Sequence, residues 1–181
     1  MRQLLSLALI AALALTSPAL AGDVTIYYSP QTNLEAVDTG LIDQARSSID
    51  MAAYVLSDLP VMEALRRAAE RGVAIRLYLD GEQLVQLRRS DHARILSVLT
   101  LLAQERNVVI KVKPEGAEWM HQKGYTIDGQ ALRTGAANLS ASGERYQDND
   151  LVLIPQASAA DAFTANFETI WLRNINQTYT P

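Results

Sequence analysis

The chain has 181 residues, 49% of them hydrophobic, with 16 lysines and arginines against 20 aspartates and glutamates, a formal net charge of −4, and no cysteine. That balance suits a globular core, and the missing cysteine excludes disulfides, thiolate catalysis and a cysteine-bound metal. With only His92 and His121, a three-histidine zinc site cannot come from one chain either.

Residues 1–21 read as a signal peptide: Arg2 is a charged start, Leu4 to Leu15 is apolar apart from Ser6, and Ala19-Leu20-Ala21 is an A-x-A cleavage site. The apolar run is too short for a span, and no later segment offers about eighteen apolar residues. Residues 22–181 are therefore expected as one soluble domain, periplasmic or secreted, with an uncleaved anchor as the alternative. Arg2 is the leader's one charge, so the remainder carries 15 basic and 20 acidic residues, a net charge of −5. A nucleic-acid enzyme of that charge must concentrate its cations near the site, and Arg133, Arg145, Arg88, Arg89 and Arg94 are the candidates.

Val24 to Ser29 alternates and reads as a strand ending in a Ser-Pro turn. Leu34, Val37, Leu41, Ile42 and Ala45 form a helical stripe reaching about Ser47, and Ile49 to Leu56 reads as a buried strand. Asp58 is a candidate N-cap with Pro60 in the first turn of a helix that Gly72 ends, and Val73 to Leu79 is the next strand. This alternation predicts crossovers in a largely parallel sheet. A helix over Ser90 to Glu105, with His92 at its start as a surface residue, precedes a strand over Val108 to Val112. Two motif strands, a Ser/Gly-rich connection at Leu139 to Gly143 and a strand from Asp150 to Ile154 follow. A helix from about Ser158 to Arg173 then turns Phe163, Phe167, Ile170 and Trp171 to the core.

The run from His121 to Asn138 places His121, Lys123, Asp128, Gly135 and Asn138 at the spacing H-x-K-x4-D-x6-G-x2-N. On an extended segment His121 and Lys123 leave the same face, so a nucleophile or acid stands beside a cation, with room for an anion between them. Asp128-Gly129 reads as a turn, and the second strand would return Asn138 to the same end of the sheet as a hydrogen-bond donor.

These residues resemble the HKD signature of the phospholipase D superfamily, and the chain from about residue 24 to 172 is similar to its small single-motif bacterial nucleases. The resemblance implies an α/β domain with a mostly parallel or mixed sheet flanked by helices on both faces. It also implies a metal-independent phosphodiesterase that works through a phosphohistidine. One histidine cannot be nucleophile and leaving-group acid at once, so a second His121 from another copy of the chain is the economical source. The resemblance agrees, implying a homodimer with a shared active site.

In this reading His121 attacks phosphorus, while Lys123, Asn138, Gly135 and Arg133 bind the phosphate without a metal or other cofactor. Asp128 supports the turn, and Asp148 or Asp150 orients the histidine as an acidic residue does in the family. Gly135-Ala136 departs from the family's Gly-Ser or Gly-Thr, which removes a hydroxyl from the site. The expected substrate is DNA or RNA, with phospholipid head groups as the alternative and a non-catalytic phosphate-binding domain as a third reading.

Overall fold

The computed structural model describes residues 22–90 and 92–181, so the leader expected over residues 1–21 lies outside the described residues. In chain order the elements are β1 Thr25–Ser29, α1 Leu34–Gln44, β2 Ser48–Ala53, α2 Leu59–Glu70, β3 Ala74–Asp80, α3 Gly81–Arg89, α4 Ala93–Gln104 and β4 Val108–Lys113. Then come β5 Lys123–Ile127, β6 Ala131–Thr134, α5 Ala141–Arg145, β7 Asn149–Ile154, α6 Ala157–Trp171 and β8 Gln177–Thr178.

The sheet is built outward from β2, which sends Ile49, Met51 and Ala53 to one face and Ala52 to the other, all of them buried. Such two-sided burial is the mark of a central strand. β2 pairs in parallel with β3, and β3 in parallel with β4. On its other side β2 pairs antiparallel with β5, placing Ala53 opposite Lys123, and β6, β7 and β1 continue antiparallel to the edge. The eight strands run in the order β1-β7-β6-β5-β2-β3-β4-β8. Apolar stripes of α1, α2 and α4 cover one face. Phe167, Ile170 and Trp171 of α6 cover the other, over Ala52 and Tyr78.

Several expectations from sequence need correction, the first being a largely parallel sheet, since only the β2–β3 and β3–β4 pairs among the described residues are parallel. β1 does not lie beside β2 as the first step of a parallel series; it is an edge strand paired with β7. Its alternation decides this, since Ile26 and Tyr28 remain about half exposed, whereas a parallel strand flanked by helices is apolar throughout. The stretch read as one helix from Ser90 is preceded by a separate α3. Asp80 caps it by accepting from Gln83 N at 3.2 Å, and Leu84 and Leu87 turn inward. The connection expected over Leu139 to Gly143 runs into the short helix α5, which Ser140 caps by accepting from Gly143 N at 3.2 Å. The signals at α2 hold: Asp58 accepts from Val61 N at 3.3 Å at its start, and Gly72 ends that helix at φ +88°.

The β5–β6 turn is pinned from outside. Asp128 and Gly129 both take positive φ, 54° and 64°, and Gln130 N donates to Ile127 O at 2.9 Å. The Asp128 carboxylate accepts from Arg46 N, Ser47 N, Ser47 Oγ and Ser48 N, joining the turn to the α1–β2 connection. Burial works to raise this carboxyl's pKa, but the backbone donors of Ser47, Ser48 and Arg46 outweigh it and hold it below its ordinary value. A carboxylate depressed in this way stabilises the fold above its unfolded pKa, near 3.9, and loses that contribution as pH falls through the lower folded value. Asp128→Ala should therefore cost about 1–3 kcal/mol in urea unfolding at pH 7, with the difference from the parent shrinking below about pH 4.

Candidate active site

The antiparallel entry of β5 beside β2 brings the motif to the edge of the sheet where the parallel strands β2 and β3 end. Tyr54 N donates to Gln122 O at 2.8 Å just past the last β2–β5 pair, which fixes the residue between His121 and Lys123. The preceding loop is tied down by Asp80, whose Oδ2 accepts from the buried N–H of Met120 at 2.8 Å. His121 is thus an exposed side chain on a backbone held from both sides.

Lys123 Nζ lies 3.1 Å from His121 Nδ1 and donates to His121 O at 2.8 Å. Burial lowers the lysine's pKa from its ordinary value. The Tyr54 ring backs both groups, with its centroid 4.3 Å from that of His121 and 4.9 Å from Lys123 Nζ. Trp119, 63% exposed, stacks on the outer side of His121 at 6.2 Å. Neither aromatic belongs to the H-x-K-x4-D-x6-G-x2-N pattern. Trp119 sits two residues before His121, but nothing in the local pattern signals Tyr54, which arrives from the end of β2.

His121, Lys123 and Gly135 line one open concavity of about 500 Å³ together with Thr134, Ala136 and Phe163. Gly135 is required there by its backbone, because it adopts φ +134° and a Cβ would lie 2.5 Å from Asp150 O. Ala136 is exposed and offers no hydroxyl. Asn138 does not line this concavity. It is half-buried, and its Oδ1 is shielded from water without a hydrogen-bond partner. Asp128 lies beyond the far end of β5, on the order of 15 Å along the strand from Lys123, so it holds the hairpin rather than touching the concavity.

Arg133, expected to bind phosphate, is fully buried. It makes a two-pronged pair with Asp38, Nε to Oδ1 at 2.8 Å and Nη2 to Oδ2 at 2.6 Å, and also donates to Lys123 O and Ala137 O at 3.3 Å. Its place on β6 opposite Tyr125 turns it inward beneath the site, because alternation along a strand sends it to the core face. Neither Asp148 nor Asp150 hydrogen-bonds to His121 among the described residues; both line a concavity beside Tyr28 and Ser29, and Asp150 also reaches the His121 concavity from below, since a Cβ on Gly135 would lie 3.0 Å from its Oδ2. The intervening Asn149 donates to Gly143 O at 2.9 Å. Of the other arginines considered, Arg145 pairs with Glu35 at 3.3 Å, Arg94 reaches Glu63 at 3.9 Å, and Arg88 lies over the Tyr179 ring. No group of three or more His, Asp or Glu side chains suited to a metal ion occurs among the described residues.

This geometry can be set beside known proteins. The family model described as cardiolipin synthase, PLD-like domain, matches residues 39–171. The chain belongs to the phospholipase D superfamily. A protein named phospholipase D from Rickettsia bellii is 29% identical over 151 residues, covering 83% of this chain and 70% of its own. One named mitochondrial cardiolipin hydrolase from Drosophila melanogaster is 28% identical over 150 residues, covering 72% of this chain and 55% of its own. Among solved structures, Nuc from Salmonella typhimurium, a phospholipase D family member, superposes with a TM-score of 0.75 at 22% identity, over 88% of this chain and 99% of Nuc. The chain is a phosphodiester hydrolase of that superfamily, with a mixed sheet between helical layers as the fold.

Beneath the site lies a second buried carboxyl. Glu144 is 0% exposed with both oxygens unpartnered. Burial, then the charges of Asp38 and Asp58, hold its pKa far above the ordinary carboxylate range, against the opposing pull of Arg133. It is neutral when folded at pH 7 and ionised when unfolded, so the folded state binds the extra proton and stability falls as pH rises above about 4.3. Glu144→Gln should therefore be more stable than the parent at pH 8, with the gap closing towards pH 4 in urea titrations. Removing the cation has the opposite sign: Arg133→Met strands Asp38 and should cost about 3–5 kcal/mol in the same assay.

Proposed function

We propose that this protein is an exported, metal-independent nuclease that cleaves DNA or RNA through a phosphohistidine, working as a homodimer. The observation that carries the reading is the exposed His121 imidazole with the Lys123 ammonium 3.1 Å from its Nδ1, on a rigid backbone at the mouth of an open concavity. His121 attacks phosphorus, forming the N–P bond as the P–O bond to the leaving group breaks in line. His121 of the partner subunit gives its proton to the departing alkoxide. It then takes one from the water that attacks the phosphohistidine, breaking the N–P bond and restoring His121. Lys123 balances the charge on the non-bridging oxygens, and Asn138 supplies amide donors once substrate and partner complete the site.

Support for a shared site comes from what one copy lacks. Lys123 is the one cation lining the concavity, and the other imidazole, His92, is an exposed residue at the start of α4. Nucleic acid is favoured over lipid by where the apolar surface lies. Among the described residues the exposed large apolar side chains run from β1 at one edge of the sheet to Val109 of β4 near the other, and Trp119 is the one whose ring stacks on His121. A membrane surface would need such residues gathered around the histidine.

A second reading, hydrolysis of a phospholipid head group, is favoured by the names of the Rickettsia and Drosophila relatives and by the net charge of −5 after leader removal. Purified protein in EDTA, offered plasmid DNA, RNA and phosphatidylcholine vesicles in parallel, should cleave nucleic acid. His121→Ala should abolish that activity, and the mass in solution should be that of two chains. Head-group release without nicking would select the lipid reading, and activity that EDTA removes or that survives the substitution would defeat the mechanism.

A further inference from the structure

A cavity of about 260 Å³ opens behind Tyr54, on the side of the sheet covered by α3 and α4. It sits beyond the carboxyl ends of the adjacent parallel strands β2 and β3, the place where open α/β sheets commonly bind ligands. Tyr54 is shared, because it lines this cavity and its ring also packs 4.3 Å from His121. A group lodged in the cavity is therefore one aromatic residue away from the phosphoryl centre.

The lining tells what that group must be. Leu56, Leu79, Leu84 and Leu87 supply apolar walls and each keeps 5–9% exposure, unlike the fully buried residues beneath them. Among the described residues no lysine or arginine lines the cavity and Asp80 does, so it disfavours a phosphate, which the Lys123 side suits better. Half of the lining is nonetheless polar: Ser57, Gln83, Gln86, Ser90 and His92 face it along with the Tyr54 hydroxyl, which accepts from Gln83 Nε2 at 3.0 Å. An acyl chain would strip water from these groups and return no hydrogen bond. A heteroaromatic ring matches both parts, offering apolar faces to the leucines and edge donors and acceptors to the amides and hydroxyls.

We propose that this cavity is a nucleobase subsite, which takes the base of a nucleotide adjoining the scissile phosphate after that base has left its stack. The proposal rests on the nuclease reading and adds to it: cleavage should depend on a base at one position beside the cut. The experiment uses short single-stranded oligonucleotides in EDTA, each with one abasic residue stepped past a mapped cleavage site. An abasic residue on one side of the cut should lower kcat/KM at least tenfold, while the same change several residues away has no effect. Leu84→Trp, which fills the cavity, should bring the ratio of base-bearing to abasic rates close to one. Gln86→Ala, on the exposed rim where folding is not at stake, should reduce the ratio at least threefold.

Oligonucleotides cut at the same rate with or without each base would overturn the subsite and leave the nuclease reading standing. Failure to cut any oligonucleotide would overturn both. Binding gives an independent arm: nucleoside monophosphates should quench the protein's fluorescence and compete with oligonucleotide, whereas ribose 5-phosphate should do neither. Equal competition by the two would also sink the proposal.

Discussion

The pairing of Arg133 with Asp38 is the contact on which the site is built. Both side chains are fully buried, and their two short hydrogen bonds join β6 to α1, while Tyr125 donates to the same carboxylate at 2.6 Å. Its Nη1 donates to the carbonyls of Lys123 and Ala137, one on each arm of the motif. Taking two charges out of water is costly, and a well-packed apolar replacement is often as stable. The physical advantage lies in geometry, since a planar fork with fixed donors sets the separation of the strands that carry the motif. Glu144, held neutral nearby, keeps a second negative charge out of this balance.

Around that pair, three carboxylates act as staples rather than reagents. Asp128 ties the hairpin turn to the chain entering β2, Asp80 ties the loop before His121 to the end of β3, and Asp58 starts α2. Each accepts backbone N–H groups that a turn or helix start would otherwise leave unpaired. The His121 imidazole thus stands exposed on a backbone that hydrogen bonds hold on both sides, at Met120 and at Gln122.

The chemistry is placed where the sheet changes character. Between β2 and β3 strands run parallel, between β2 and β5 antiparallel, and the carboxyl ends of the first pair meet the start of β5. Tyr54 leaves β2 at that junction and becomes the wall between the His121–Lys123 concavity and the cavity under α3. Its ring packs against imidazole and ammonium at once, so the two spaces are separated by a single side chain.

Much of this was legible in the chain. The spacing from His121 to Asn138 carries the resemblance to the superfamily that the family model over residues 39–171 shows, and the caps at Asp58 and Gly72 are local signals that tertiary contacts did not override. What the sequence could not decide was which way a strand residue faces across its neighbours. Arg133 reads as a cation near the motif, yet its place opposite Tyr125 commits it to the core beside Asp38. Tyr54 is separated from His121 by 67 positions of chain and only the β2–β5 register brings them together. Sequence alone thus determined the residues of the motif and their local turns, which depend on neighbours a few residues away. The tertiary structure decided which charges line the His121 concavity and which are buried, because that depends on strand order, and strand order is set by packing over the whole sheet.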